Sequence, residues 1–489
     1  MNKNGNKSDE LEVEVDLSEA HYQLLSSAFE ELSDNIQSEI QQGLREERDY
    51  RLSRYNQNLL MPIPKHLLVK AKHSLKKFAV DIDVAQQYQV EDVSEKKRFN
   101  YTTQSQVILS AFDVKNVDLA SGRLMVELSA GRAVVMDAYS FDLWLNPELW
   151  GKLNYRLLRF KRLLFKNPHC KVKLSYDNGV SEYCNARIEE IQYTLGLNDR
   201  VRLRLISPEF DLGFKVVFED IPTEYESTVV EMECLFDVSS FRQTELFDVT
   251  ATKEPLFATN IVPLFNLYES YSSAQKLDEK YDKIPLLNPE DPNAKAISVK
   301  QVWVNNNLYK EYYNHTVSEY VFHKHVGKLT YYPKNLTESL KQSKKVFAKV
   351  LWTQNISHGN FLRVSSNALA ASNIRYDLIS SKSEIGINSF RYINRVVQIF
   401  RTFSDLDIRE QDGFLIALKF LCGEEYVDLY RRFKLAIDRI QYNRVANELN
   451  IYIKQAGNLA FVGHVAEIVS EFFYVNSPQS IEIKMCVNC

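Results

Sequence analysis

The chain has 489 residues, 45% of them hydrophobic and 25% charged, so it is long enough for two to four domains and apolar enough to bury large cores without disulfides or metals. Sixty basic against 64 acidic groups leave a formal charge of −4, which argues against a dedicated nucleic-acid binder, whose domain is usually strongly basic. Only 15 Gly and 13 Pro make long flexible linkers unexpected, while 27 Tyr and 27 Phe suit strands and contact surfaces. No apolar run approaches the ~18–20 residues that span a bilayer. The start Met1-Asn2-Lys3-Asn4-Gly5 lacks a signal-peptide core. A cytoplasmic protein is expected, and the scattered Cys170, Cys184, Cys234 and Cys422 fit a reducing compartment.

In chain order, residues 1–17 read as a polar, acidic, mobile tail. From Ser18 to about Tyr50 apolar residues recur every three or four positions. Tyr22, Leu25, Phe29, Leu32 and Ile36 fall on one stripe, with Glu30, Glu31 and Asp34 opposite. Such an amphipathic helix needs a partner surface, either in its own domain or on another subunit. Met61-Pro62-Ile63-Pro64 ends the pattern, because two prolines force extended backbone.

From about Asn100 the period becomes two. Val107, Leu109 and Ala111 alternate with polar neighbours, as do Leu124, Val126 and Leu128, and Val201, Leu203 and Leu205 with Arg202 and Arg204. All three are expected strands. Lys171 to Tyr176 runs into Asp177-Asn178-Gly179, a hairpin signal. Leu149 to Phe165 is expected to be a basic helix carrying Arg156, Arg159, Lys161 and Arg162. It reads either as a nucleic-acid or anionic-surface element or, preferably, as a core-packed helix whose basic side chains reach outward or meet an acidic protein partner, with Arg156, Arg159 and Arg162 as the candidate partner contacts. Residues 288–293 are loop by composition, and Ala296 to Val304 is a strand. Helices are expected at Asp412–Leu421, Tyr426–Ala436 and Leu459–Phe473, with extended segments at Ile451–Ile453 and Ile481–Ile483. The fold class is α+β and multi-domain. It combines β-rich antiparallel domains, an N-terminal amphipathic helix and a C-terminal helix–strand segment. The expected division is tail 1–17, helical segment 18–75, β-rich domain 76–250, middle β-rich domain 251–385 and C-terminal α+β domain 386–489.

Motifs for chemistry are sparse. Gly457 and Gly463 have phosphate-loop spacing, but His464 stands where a lysine is needed. His315, His323 and His325 offer imidazoles to a metal without a Cys or carboxylate to complete the set. Cys486 and Cys489 form a lone C-x-x-C without a second pair, read as a frayed tail. No catalytic set, cofactor or metal is expected.

Three segments resemble the TssF family of type VI secretion baseplate proteins. Leu24-Leu25, Ala28-Phe29 and Leu32, then Leu59-Leu60-Met61-Pro62-Ile63-Pro64, are similar to the family's entry helix, leucine run and P-I-P. Phe257 to Phe265 is similar to F-C-T-P-V-x-N-L-F, followed by Gln275-Lys276-Leu277-Asp278 and Ala296 to Val302. Ala436 to Ile440, Leu459 to Gly463, Phe472-Phe473 and Val475-Asn476-Ser477 match the C-terminal pattern. Ala258 and Asn260 replace the usual Cys and Pro, and Pro478 the final Phe, as in a divergent, IglH-like branch. The resemblance implies a structural wedge component. It would pair with a second copy of itself around a TssG-like subunit and meet a TssK-like adaptor, TssE-like and sheath subunits and a VgrG-like spike. It would assemble at the inner face of the cytoplasmic membrane through those subunits, with no nucleic acid bound and no membrane insertion.

Overall fold

A computed structural model describes residues 27, 31–33, 36–37, 63–73, 80–120, 122–135, 140–220, 228–241, 254–276, 284–304, 307–309, 320–323, 328–331, 345–354, 362–366, 374–382, 411–422, 426–443, 445–454, 459–476 and 482–487. The chain divides into two compact units, Met1–Leu60 and Met61–Cys489. In the first, the described residues are helical, as the periodicity predicts. Leu32 and Ile36 of the apolar stripe are exposed there, at 55% and 48%. Tyr22, Leu25 and Phe29 lie outside the described residues.

The second unit is a β-rich, multi-domain α+β fold. Its strands alternate buried and solvent-facing side chains wherever one face of a sheet is wet. Six strands close a barrel in the order His66–His73, Ile261–Phe265, Lys97–Thr103, Gln87–Asp92, Leu362–Ser366 and Ile374–Lys382. Its interior is filled by residues including Leu67, Val69, Tyr88, Val90, Tyr101, Val262 and Leu264. Closure leaves no barrel edge to protect. The barrel draws strands from segments more than 300 positions apart, since His66–His73 pairs with Ile374–Lys382.

An eight-stranded antiparallel sheet runs in the order Phe257–Ala258, Ser140–Leu145, Gly213–Phe218, Ser181–Glu190, His169–Tyr176, Thr228–Asp237, Arg123–Val135 and Asp113–Ala120. The hairpin at Asp177-Asn178-Gly179 forms as expected, and Gly179 supplies the positive φ of 81° that the tight turn requires. Gly213 lies against Trp144, where a Cβ would come within 2.5 Å of the indole, so only glycine fits. A third sheet is built on Lys345–Thr353, with Tyr268–Tyr271 and Gln275–Lys276 on one side and Lys295–Val304, then Asn307–Tyr309, on the other. A small C-terminal sheet pairs Ile437–Asn443 with Glu448–Ile453, and the latter in parallel with Glu482–Val487.

Among the described residues, five helices of ten residues or more support these sheets: α1 (Tyr155–Lys166), α2 (Leu197–Ile206), α3 (Gln411–Cys422), α4 (Val427–Ala436) and α5 (Leu459–Asn476). Helix α5 packs on α1 and α2, and its apolar residues Val462, Val465, Ile468 and Val469 are fully buried.

Four expectations are corrected. Val201, Leu203 and Leu205 lie on helix α2 rather than a strand. That helix is buried around most of its circumference, Arg202 included, so no polar stripe marks a helical period in the sequence. The basic helix is not continuous, because Asn154, at φ 41°, separates a short turn Trp150–Leu153 from α1. The C-terminal end is not a frayed tail up to Val487, because Cys486 sits in a strand opposite Tyr452. Val107, Ile108 and Leu109 are all buried instead of alternating, because that strand is covered on both faces.

Candidate functional site

Helix α1 begins where the Asn154 side chain accepts a bond from the Tyr155 amide, an N-terminal cap. Its inward face is Tyr155, Leu157, Leu158, Phe160, Leu163 and Leu164, all buried. Of the three arginines read as partner contacts, Arg156 is exposed, while Arg159 and Arg162 are half-buried. Arg162 points to α5. Its Nε lies 2.7 Å from Glu467 Oε2, and its Nη2 donates to His464 Nδ1 at 2.7 Å. The expectation that the basic side chains of α1 reach outward fails outright at Lys161, whose side chain is 3% exposed. Its Nζ donates to Glu190 at 2.6 Å and to the Asp211 carbonyl at 2.8 Å. A buried ammonium is tolerable only when paired in this way.

These bonds belong to one network. Asp211 also accepts from Arg204 Nε of α2 at 3.0 Å, and Arg204 in turn pairs with Glu471 of α5. His464 Nε2 donates to the Arg204 carbonyl at 3.0 Å. Charged and polar side chains thus join the eight-stranded sheet, through Glu190, to α1, α2 and α5. Burial alone would raise the Asp211 carboxyl, but Lys161 and Arg204 beside it hold it well below the usual carboxylate range. Burial, and then the Arg162 charge, push His464 down to about 3, so the imidazole is neutral. That fits a ring accepting from Arg162 at Nδ1 and donating at Nε2.

His464 makes the stability of the fold depend on pH. In the unfolded chain it titrates near its ordinary value of 6.5, whereas the folded chain refuses the proton down to about 3. The unfolded state binds more protons across that window, so stability falls as pH drops through it. Asp211 acts in the same direction at lower pH. His464→Gln, which keeps a donor and an acceptor without a titrating group, should shrink the loss of denaturation midpoint between about pH 7 and about pH 4. An unchanged pH slope in urea titrations would contradict this.

Other groups shaped like chemical sites resolve differently. Ser207 Oγ stands 2.6 Å from His66 Nε2, the spacing of a nucleophile and its base. Both residues are 0% exposed, and His66 Nδ1 donates to the Pro64 carbonyl at 2.8 Å, so the pair pins the barrel strand to the end of α2. His323 ends a short strand opposite Lys328, while His315 and His325 lie outside the described residues. Among the described residues, no group of three metal-ligating side chains gathers, and no helix is long and apolar enough to cross a membrane. One open groove of about 870 Å³ on the eight-stranded sheet is lined by polar residues including His169, Tyr183 and Glu219. It lacks the apolar enclosure of a small-molecule pocket.

The network was hidden in the sequence because bonded partners such as Arg162 and His464 lie 302 positions apart. The one available signal was the polar cluster Arg162, His464, Glu467 and Glu471 on otherwise apolar helix faces.

In class, then, this is a large, multi-domain, β-rich α+β fold in which one network of buried and half-buried charges joins the eight-stranded sheet to three helices. No family model matches the sequence, and no curated protein matches it. Solved structures do match the fold. A chain of the type VI secretion system TssK-TssF-TssG baseplate subcomplex aligns over 95% of this chain and 96% of its own length, with a TM-score of 0.65 at 11% identity. A chain of a type VI secretion baseplate complex aligns over 90% and 85%, with a TM-score of 0.59 at 13% identity. The fold is thus that of a type VI secretion baseplate subunit, in agreement with the TssF resemblance of the sequence.

Proposed function

We propose that this chain is a structural wedge component of a type VI secretion baseplate and that it acts by binding other subunits, not by catalysis. The observation that carries the reading is the near end-to-end fold agreement, over 95% of this chain and 96% of the baseplate chain, at an identity too low for local motifs to produce it. The order of the TssF-like segments in the sequence supports it independently. In this reading the chain pairs with a second copy around a TssG-like subunit and meets a TssK-like adaptor. TssE-like, sheath and VgrG-like spike subunits complete the surroundings. The assembly sits in the cytoplasm at the inner face of the membrane, and other subunits provide its anchor there.

The N-terminal stripe Tyr22, Leu25, Phe29, Leu32 and Ile36 is the proposed partner-binding element, with Arg156 and Arg159 of α1 a second contact. The 55% exposure of Leu32 and 48% of Ile36 support this, since large apolar side chains gain ~1.5–3 kcal/mol each on burial. Phe29→Asp should abolish co-purification with the other wedge subunits and leave circular dichroism and melting unchanged. Outright misfolding would return the stripe to this chain's own core. Normal assembly would remove it as the interface and point to Arg159.

A further inference from the structure

The strands of the third sheet, from Tyr268–Tyr271 to Lys345–Thr353, all fall in the chain between two strands of the barrel, Ile261–Phe265 and Leu362–Ser366. The segment 268–353 is thus inserted into the barrel's own sequence. It has a core of its own, built on Tyr268, Leu286, Val302, Ala348 and Trp352 among others, and none of the residues that fill the barrel belongs to it. Two bodies with separate cores move against each other unless their junction is held. Here the entry to the module, Asn266-Leu267, and its exit, Thr353-Gln354, meet at one point.

That point is Asn266, which is 0% exposed. Its main-chain amide donates to the Lys65 carbonyl at 2.7 Å, which fixes it to the barrel side. Its Oδ1 accepts from Thr353 Oγ1 at 2.8 Å and from the Gln354 amide at 2.6 Å, which ties the exit to the entry. Its Nδ2 donates to the Asn100 carbonyl at 2.9 Å, and the Asn100 amide donates to Gln354 Oε1 at 2.6 Å. The pairing of Ile261–Phe265 with Lys97–Thr103 stops at Phe265 opposite Thr102. Beyond that step two side chains of the junction give Asn100 the partners that a neighbouring strand would give. A loop then straps the junction. Gln354 Nε2 donates to Asp291 Oδ2 at 2.9 Å. Asn288 holds that loop in place, since its Oδ1 accepts from the Glu290 and Asp291 amides at 2.9 and 3.1 Å and its Nδ2 donates to the Tyr268 hydroxyl at 3.0 Å.

We propose that Asn266 and Gln354, strapped by Asp291, lock the inserted module to the barrel at one angle, so that surfaces on the module and on the barrel are presented as parts of one rigid body. The physical ground is that the junction is buried and its bonds are shared. Swinging the module would strip partners from Asn266 and Gln354, which are 0% and 6% exposed, in a place where water does not replace them. The inference does not depend on the baseplate reading.

The test measures the distance between two nitroxide labels by double electron–electron resonance in the full chain. Cys170, Cys184, Cys234 and Cys422 are buried, so Cys486→Ser and Cys489→Ser clear the background. The labels go on Arg363→Cys of the barrel and Lys300→Cys of the module, both exposed positions. One narrow distance distribution is expected. Asn266→Asp/Gln354→Ala sets a carboxylate against the Asn100 carbonyl and removes the partner of its amide. It should widen the distribution about twofold or more while circular dichroism stays that of the parent. A network that only adds stability would lower the melting temperature and leave the width as it was, and that result overturns the lock. A broad distribution in the parent overturns it without any variant. If the double variant fails to fold, Asp291→Ala cuts the strap alone and should still widen the distribution, and an unchanged width there counts against the proposal in the same way.

Discussion

Asp211→Ala should destabilise the protein by about 3–5 kcal/mol, the cost of removing one member of a buried ion pair. Asp211 receives Lys161 on one oxygen and Arg204 on the other, with its side chain 13% and that of Lys161 3% exposed. Alanine removes the carboxylate and leaves Lys161 to the main-chain carbonyl and to Glu190, which is 48% exposed, and Arg204 to Glu471, which is 39% exposed. Screening by water weakens both of those remaining pairs. Lys161→Met is the informative contrast. It removes a buried charge for a chain of similar length, and Asp211 keeps Arg204, so its cost should be far smaller. Urea denaturation of the two variants against the parent would decide. Equal midpoints for Asp211→Ala and the parent would refute the network as a structural joint.

Phe265→Ala should cost about 3–5 kcal/mol as a large-to-small core truncation. Phe265 is 0% exposed at the end of the barrel strand Ile261–Phe265. Its neighbour Leu264 fills the barrel interior, so Phe265, one position on, faces the other way. There its ring meets Phe210 at 5.7 Å, His66 at 5.9 Å and Tyr193 at 6.1 Å. The residue therefore closes the seam between the barrel and the turn after α2, and its truncation leaves a cavity beside these rings. A thermal melt within error of the parent would contradict this placement.

The contrast between these two positions shows what kind of information the chain displays. The burial of Leu264 and Phe265 is legible in the apolar run Ile261 to Phe265, bounded by Asn260 and Asn266. The inward turn of Lys161 is not, because nothing local distinguishes it from Arg156 or Arg159 on the same basic helix. Only Glu190 and Asp211, 29 and 50 positions away, make an ammonium stable at that place.

By itself the sequence determined the elements whose physics is local. The Asp177-Asn178-Gly179 turn, the strand near Ala296–Val304 and the C-terminal helices arise from turn chemistry and from side-chain period, and they form where these predict. The tertiary structure alone decided the rest. Alternation at Val201, Leu203 and Leu205 reads as a strand until α3 and α5 pack on the segment and bury it as a helix. Closure of the barrel by His66–His73 against Ile374–Lys382 is a pairing across three hundred residues that no window of sequence contains. The aromatic cluster on the outer face of the third sheet forms only when Tyr271, Trp303 and Phe347, each unremarkable in its own strand, are set side by side by register. Local propensity acts over a few bonds, whereas burial and pairing of charge depend on what the fold brings within a few ångströms.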